Sequence, residues 1–182
     1  MKTMTLAILL LFAGGCGFLS SRSKSNFYSL ERIPPAAPVT AAASTPVAID
    51  SIELPPGFDR RDIVVRKVNH QLDVRTTEQW SASLEPMVLH TLAFDLAARL
   101  PEGMVVLPGQ LKPATSRSIS VVFEDLSAGP DPNVTLDARW TLNAVTHHER
   151  IIINVASLES AAIADGVSRA LAALADRMAA GL

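Results

Sequence analysis

The clearest alternation of apolar and polar side chains runs from residue 134 to residue 144. Successive side chains of a strand point to opposite faces, so this segment predicts a strand with one dry and one wet face, as in an antiparallel sheet covered on one side. Shorter β-rich runs predict further strands at residues 26–33, 47–54, 104–107, 118–124 and 150–155, and a hairpin formed by residues 62–68 and 71–75 around Asn69 and His70.

Two longer segments have helical periodicity. In residues 158–178 the apolar side chains fall on one stripe, formed by Ile163, Val167, Leu171, Leu174 and Met178. The second segment, residues 80–100, opens at Trp80 and is ended by Pro101 and Gly103, and Pro86 indicates that its regular part begins at Ser83 or Leu84. The order of elements predicts an α+β two-layer sandwich, with two helices packed on one face of a mainly antiparallel sheet.

Apolar residues surround almost the whole circumference of the first helix. Such a helix is buried on more than one side. The sheet, the second helix and the loop at residues 34–46, which is rich in Pro and Ala, could cover it within one chain. Alternatively, part of the helix meets a second subunit, so a homo-oligomer is possible.

The charge balance limits the possible partners. The chain has 182 residues with 16 Lys and Arg against 18 Asp and Glu, which argues against nucleic acid as a partner. The length suits one domain, which we assign to residues 26–182. The single cysteine, Cys16, cannot form an internal disulfide.

Cys16 follows a segment typical of a secretory signal peptide at residues 1–15, with Lys2, a short apolar run, and then Ala13, Gly14 and Gly15. The apolar run is shorter than the roughly 20 residues that a bilayer-spanning helix needs. The small residues before Cys16 resemble the lipobox of bacterial lipoproteins, in which the cysteine is acylated and begins the mature chain. The alternative is an ordinary cleaved signal with a buried thiol.

Residues 16–25 then predict a lipidated tether, rich in serine after the cysteine. The mean reach of the nine residues after Cys16 is about 15 to 18 Å for a flexible chain. Acyl chains on Cys16 would hold the domain at a membrane, and apart from this covalent lipid the sequence indicates no cofactor.

The search for catalytic or metal-binding groups gives no convincing constellation. Residues 147–149, His-His-Glu, could suggest a metal site, but neighbouring residues of an extended segment point to opposite sides, so an exposed hairpin end is favoured. Residues 59–62 could resemble a charged active site, yet an ion-pair network that fixes the turn is favoured. We expect Trp80 and Trp140 to be core residues rather than ligand-stacking rings.

One stretch resembles a known family, the ABC-type transport auxiliary lipoproteins. The stretch is residues 47–66, and its most specific members are Leu54, Pro55, Asp59, Arg60, Ile63, Val64 and Arg66, followed by Trp80 at the start of the first helix. Residues 27–30, Phe-Tyr-Ser-Leu, and residues 137–140, Asp-Ala-Arg-Trp, extend the resemblance over most of the mature chain.

The resemblance implies an accessory, non-enzymatic role. Proteins of this family are thought to work with an ABC ATPase, a permease and a membrane-anchored protein with mammalian-cell-entry (MCE) domains. These systems move phospholipids or other hydrophobic molecules between the inner and outer membranes. The resemblance therefore implies a lipoprotein at the periplasmic face of the outer membrane that docks the transport conduit, with the motif shaping the domain or a docking face. Gly17 follows the cysteine at the position where an Asp commonly retains lipoproteins at the inner membrane. The glycine therefore favours sorting to the outer membrane.

Two other functions remain open. A stand-alone lipid-binding or shuttling lipoprotein would hold acyl chains between helix and sheet, which needs a cavity of several hundred Å³. A hydrolase of envelope material would need a specific acid, His or Ser.

Overall fold

The computed structural model describes residues 24–35 and 45–182. The predicted signal peptide, Cys16, most of the tether and most of the Pro- and Ala-rich loop lie outside these residues. The described elements are, in order, β1 (Asn26–Tyr28), β2 (Val47–Glu53), β3 (Asp62–Arg66), β4 (Leu72–Trp80), α1 (Leu84–Ala97), β5 (Val105–Val106), β6 (Arg117–Ala128), β7 (Asn133–Leu142), β8 (Val145–Asn154) and α2 (Ser160–Ala180).

The strands form one mixed sheet. Its main path is β1-β4-β3-β6-β2-β5, and β7 and β8 extend it from the other side of β6. The long pairs β6–β7 and β7–β8 and the β3–β4 hairpin are antiparallel. The pairs β1–β4, β2–β5 and β2–β6 are parallel. The predicted α+β sandwich with a mostly antiparallel sheet is therefore confirmed.

The core lies between the sheet and the two helices. The predicted stripe of α2 is buried throughout, from Ile163 to Met178. Gly166 allows α2 to approach closely, because a Cβ there would meet Val134 Cγ2 of β7 at 2.7 Å. The two predicted tryptophan anchors, Trp80 and Trp140, are both buried, at 4% and 1% exposure.

Three sequence predictions need correction. Trp80 does not open the first helix: it is the last residue of β4, paired with Tyr28, and the helix begins at Leu84. The predicted first strand, residues 26–33, is only three residues long, because the chain leaves the sheet after Tyr28 to cross the helices. Residues 147 and 148 lie inside β8, and the β7–β8 hairpin turns at Asn143 and Ala144, both with positive φ.

The strand directions define two ends of the domain. β6 ends at Ala128, which pairs with Val65 near the end of β3. We call this the tip end, because the β3–β4 hairpin turns there through residues 67–71, the tip. β6 begins at Arg117 at the opposite or far end, next to the loop at residues 107–116.

Candidate functional site

A tight turn between β2 and β3 brings Phe58 into the interior. The Phe58 N–H donates a hydrogen bond to the Pro55 carbonyl at 3.1 Å. Gly57 has a φ of +86°, which residues with a Cβ rarely adopt. The reversal turns the aromatic ring of Phe58 back against the domain, where it is only 7% exposed. The turn therefore anchors the motif segment to the core.

The other motif residues divide into a buried and an exposed group. Leu54, Pro55, Ile63, Val64 and Trp80 are buried. In this arrangement the five side chains pack in the interior of the domain. Asp59 and Arg60 are exposed, and Arg66 is partly exposed. A docking role for these three polar residues stays a prediction, and Cys16 lies outside the described residues.

The charged motif residues form local ion pairs. Arg60 Nη2 lies 3.1 Å from Asp62 Oδ2, and Gln79 Nε2 donates to the other oxygen of Asp62 at 3.1 Å. Arg66 Nη2 lies 3.2 Å from Asp125 Oδ1. Exposed pairs of this kind typically stabilise a fold by less than about 1 kcal/mol. Their main effect is to orient the charged side chains around the turn.

A groove of about 540 Å³ opens beside the motif at the tip end. Phe58 and Arg66 form one side of it, with the guanidinium carbon 5.4 Å from the centre of the Phe58 ring. Residues 67–70, Leu72 and Pro130 complete the lining. The groove thus combines apolar surface with cationic side chains.

The segment that follows β1 is clamped between the two helices. The Ile33 N–H donates to Asp95 Oδ1 of α1 at 2.8 Å, and Arg99 Nη1 donates to the Ile33 carbonyl at 3.0 Å. The Glu31 N–H donates to Ser168 Oγ of α2 at 3.0 Å. This clamp, made by Asp95, Arg99 and Ser168, joins the segment after β1 to the two helices.

Asp95 and Arg99 are the polar residues that sequence reasoning missed. Both are buried, at 1% and 2% exposure, and Arg99 Nε donates to Asp176 Oδ1 at 2.6 Å. Burial raises the pKa of Asp95 to about 6, against the opposing effects of the Ile33 hydrogen bond and the Arg99 charge. The available signal was an acid near the end of α1 and a base four positions later, just beyond its last residue.

Polar contacts fasten β1 to the edge of the sheet. The Tyr28 hydroxyl donates to Glu78, and Asn26 Nδ2 donates to Glu78 Oε1 at 2.7 Å. The bond to Tyr28 lowers the pKa of Glu78 and raises that of Tyr28. Arg75 Nη1 donates to Ser160 Oγ at the start of α2, 3.0 Å away. These groups line an open groove of about 620 Å³.

The histidine-rich stretch of β8 is divided between two faces of the sheet, as the extended backbone predicts. The His147 ring stacks on Trp140 with their centres 4.0 Å apart. His148 projects to the other face, where its Nε2 lies 2.6 Å from Asp137 Oδ1. Glu124 is close to this pair, but it accepts a hydrogen bond from Arg139 Nε at 2.6 Å. Residues 147–149 therefore do not form a joint cluster.

Comparison with protein families decides the classification. The family model described as the ABC-type transport auxiliary lipoprotein component matches residues 28–179. The chain belongs to this family. The suspected resemblance is confirmed, and the match includes every predicted site residue except Cys16. This auxiliary lipoprotein is thus assigned to a family of transport auxiliary components rather than to an enzyme family. No curated protein matches the sequence.

Two solved structures have the same fold at low sequence identity. An uncharacterised protein is 11% identical, with a TM-score of 0.70 over 87% of this chain and 98% of that one. A Xanthomonas campestris protein of the family DUF330 is 13% identical, with a TM-score of 0.61 over 85% and 93% of the two chains. At these identities the likeness concerns the fold alone.

Among the described residues, neither helix combines the length and the apolar character that crossing a membrane requires.

Proposed function

We propose that this auxiliary lipoprotein is a lipid-anchored periplasmic subunit of an ABC/MCE-type transport system. It docks the transport conduit at the outer membrane, and the cargo is phospholipid or another hydrophobic molecule. The observation that carries the proposal is the family match over residues 28–179. The lipobox-like sequence before Cys16 supports the anchor, and acyl chains on that thiol supply the membrane attachment.

The docking surface includes the exposed part of the motif, Asp59 and Arg60. Both follow a turn whose conformation is fixed by buried neighbours, so their positions are well defined before a partner binds. The Arg60 side chain is 43% exposed although it pairs with Asp62. A charged group that is held in place but remains accessible suits the polar rim of a transient protein interface.

The packing of the core does not favour the alternative, a stand-alone lipid-binding or shuttling lipoprotein. The cavity between the sheet and the helices, lined by Phe58, Trp80 and Ile163 among others, has a volume of only about 20 Å³. A pocket for a drug-sized apolar ligand has roughly 300 to 1,000 Å³. A shuttle that holds acyl chains between the helices and the sheet would therefore require the helices to move away from the sheet.

The test is chemical crosslinking of the full-length protein in native membranes, followed by purification and mass spectrometry. Four forms are compared: wild type, Cys16→Ser, Arg60→Glu and the control Arg169→Glu. Arg169 is a matched control because it is also an exposed arginine in an ion pair, with Asp165 at 2.8 Å, but lies on α2.

The proposal predicts that wild type and Arg169→Glu recover an MCE-domain protein with its permease and ATPase. Cys16→Ser should be depleted in this complex because it lacks the anchor, and Arg60→Glu should recover several-fold less because the docking charge is reversed. An acylated wild type that captures none of these proteins contradicts the docking role. Copurified phospholipid in that case would favour the shuttle.

A further inference from the structure

The tip and its base carry exposed apolar side chains. Val68 is 71% exposed, and Leu72, at the base of the tip, is 45% exposed. Residues 66–72 contain no acidic side chain and include Arg66 and Lys67, which pair with acids just outside this segment: Arg66 Nη2 lies 3.2 Å from Asp125 Oδ1, and Lys67 Nζ lies 3.6 Å from Asp73 Oδ2. Apolar side chains with flanking cationic groups are typical of a surface that contacts phospholipid.

The tip has a defined shape. The Lys67 N–H donates to the Gln71 carbonyl at 2.8 Å, which closes the turn beyond the last strand pair, Arg66 and Leu72. Asn69 and His70 have φ values of 66° and 62°. The turn therefore presents Val68 on a hydrogen-bonded hairpin turn at the end of β3 and β4.

The direction of β1 relates the tip to the predicted anchor. β1 is parallel to β4, and Asn26 pairs with Glu78. β1 therefore runs away from the tip end, where β4 begins, and Asn26 is the residue of β1 nearest to that end. Leu72 lies six positions before Glu78 along β4, a distance of about 20 Å at 3.3 Å per residue.

The chain before β1 is long enough to span that distance when it is partly extended. Nine residues separate Cys16 from Asn26, and they span at most about 34 Å when fully extended. Their mean reach expected from composition is about 15 to 18 Å. A lipid on Cys16 and the tip can therefore reach one membrane plane together without reversing the direction in which the chain enters the sheet.

We propose that the tip rests on the phospholipid surface in which Cys16 is anchored, with Val68 and Leu72 in the interfacial layer. This contact orients the domain upright, so that the far end points away from the membrane. The inference rests on the proposed function only for the acylation of Cys16. The acyl chains supply the attachment, and the tip supplies the orientation.

The experiment uses the single cysteine of the chain. In the acylated protein Cys16 is blocked, so Val68→Cys provides one free thiol for a nitrobenzoxadiazole label. The matched control is Leu111→Cys, an exposed apolar residue in the far-end loop with 96% exposure. Each full-length lipoprotein is reconstituted into vesicles of phosphatidylethanolamine and phosphatidylglycerol. Quenching is measured with aqueous iodide and with nitroxide-labelled lipid, and mass spectrometry verifies the acylation.

We expect several-fold less iodide quenching, and several-fold more quenching by lipid nitroxide, at position 68 than at position 111. A second comparison places the label at His70→Cys, with and without the substitutions Val68→Asp and Leu72→Asp. The two acidic substitutions should remove the protection of this label from iodide. Equal quenching at positions 68 and 111 in acylated protein would overturn this inference but not the proposed function. Protection of position 111 instead of position 68 would also overturn it, because the domain would then have the opposite orientation. A chain that is not acylated would overturn the anchor itself, and with it the proposed function.

Discussion

Replacing Asp95 by Asn should stabilise the folded domain at neutral pH. The Asp95 side chain is buried, and its Oδ2 has no hydrogen-bond partner among the described residues. Asn keeps an oxygen that accepts the Ile33 N–H, so the clamp on the segment after β1 remains. The substitution removes the charge that burial penalises, and it places the amide NH2 at the unpartnered position of Oδ2, a cost that does not vary with pH.

The size of the effect follows from the pKa. The pKa of Asp95 is raised from 3.8 to about 6. The folded state therefore binds the proton more tightly than the unfolded chain, and ionisation costs stability. The penalty is absent below pH 3.8, develops as the pH rises through 6, and reaches about 3 kcal/mol at 1.36 kcal/mol per pKa unit. Between pH 4.5 and pH 8 the change is about 2 kcal/mol.

The assay is urea unfolding of residues 16–182 with Cys16→Ser, at pH 4.5, 6 and 8, with and without Asp95→Asn. We expect the stability difference between the variant and its parent to increase by about 2 kcal/mol from pH 4.5 to pH 8. The control Asp165→Asn makes the same substitution at an exposed acid, which pairs with Arg169 on the surface of α2. A constant difference for Asp95→Asn across this range would refute the reasoning, because it would mean that Asp95 titrates normally in the folded state.

Three further substitutions test the packing by urea unfolding at pH 7. Gly166→Ala places a Cβ 2.7 Å from Val134 Cγ2 and should cost about 1 to 3 kcal/mol, whereas an unchanged midpoint would mean that α2 can move from the sheet. Gly129→Ala places a Cβ 2.5 Å from the Arg66 carbonyl oxygen at a φ of +86°, so we expect a loss of about 2 kcal/mol or more, and wild-type stability would contradict this close approach. Arg99→Met removes the buried guanidinium that joins the helices to the N-terminal segment and should cost about 2 to 4 kcal/mol, while a neutral result would mean that the clamp adds no stability.

Local periodicity predicted α2 and β7, since a stripe or an alternation is set by one buried face. The turn after β7 was predicted too late in the chain, because it lies at Asn143 and Ala144 and not at residues 147 and 148. The sequence did not place Trp80 in a strand because its partner, Tyr28, lies 52 positions away. The two strands are parallel, so no hairpin turn joins them. The register of such a pair depends on tertiary packing, which no window of sequence contains.

The same distinction applies to the site. The acid and base of the clamp, Asp95 and Arg99, gain their role from Ile33, more than 60 positions away, so the sequence of α1 by itself does not distinguish Asp95 from its other polar positions, such as Glu85 and His90. The charged turn at residues 59–62 was predictable as an ion-pair network because its partners are adjacent. The pair between Arg60 and Asp62 fits that prediction.

Whether a residue is buried or exposed decides which property a substitution there can test. Most of the residues that carry the family resemblance are core, so sequence similarity at those positions records shared packing. A change such as Ile63→Ala, at a fully buried side chain, should cost about 2 to 4 kcal/mol of stability and would reduce partner capture merely by lowering the amount of folded protein. A change at Arg60 or Val68 leaves the core intact. Loss of capture with unchanged stability can therefore come only from the exposed positions, and those positions distinguish docking from orientation at the membrane.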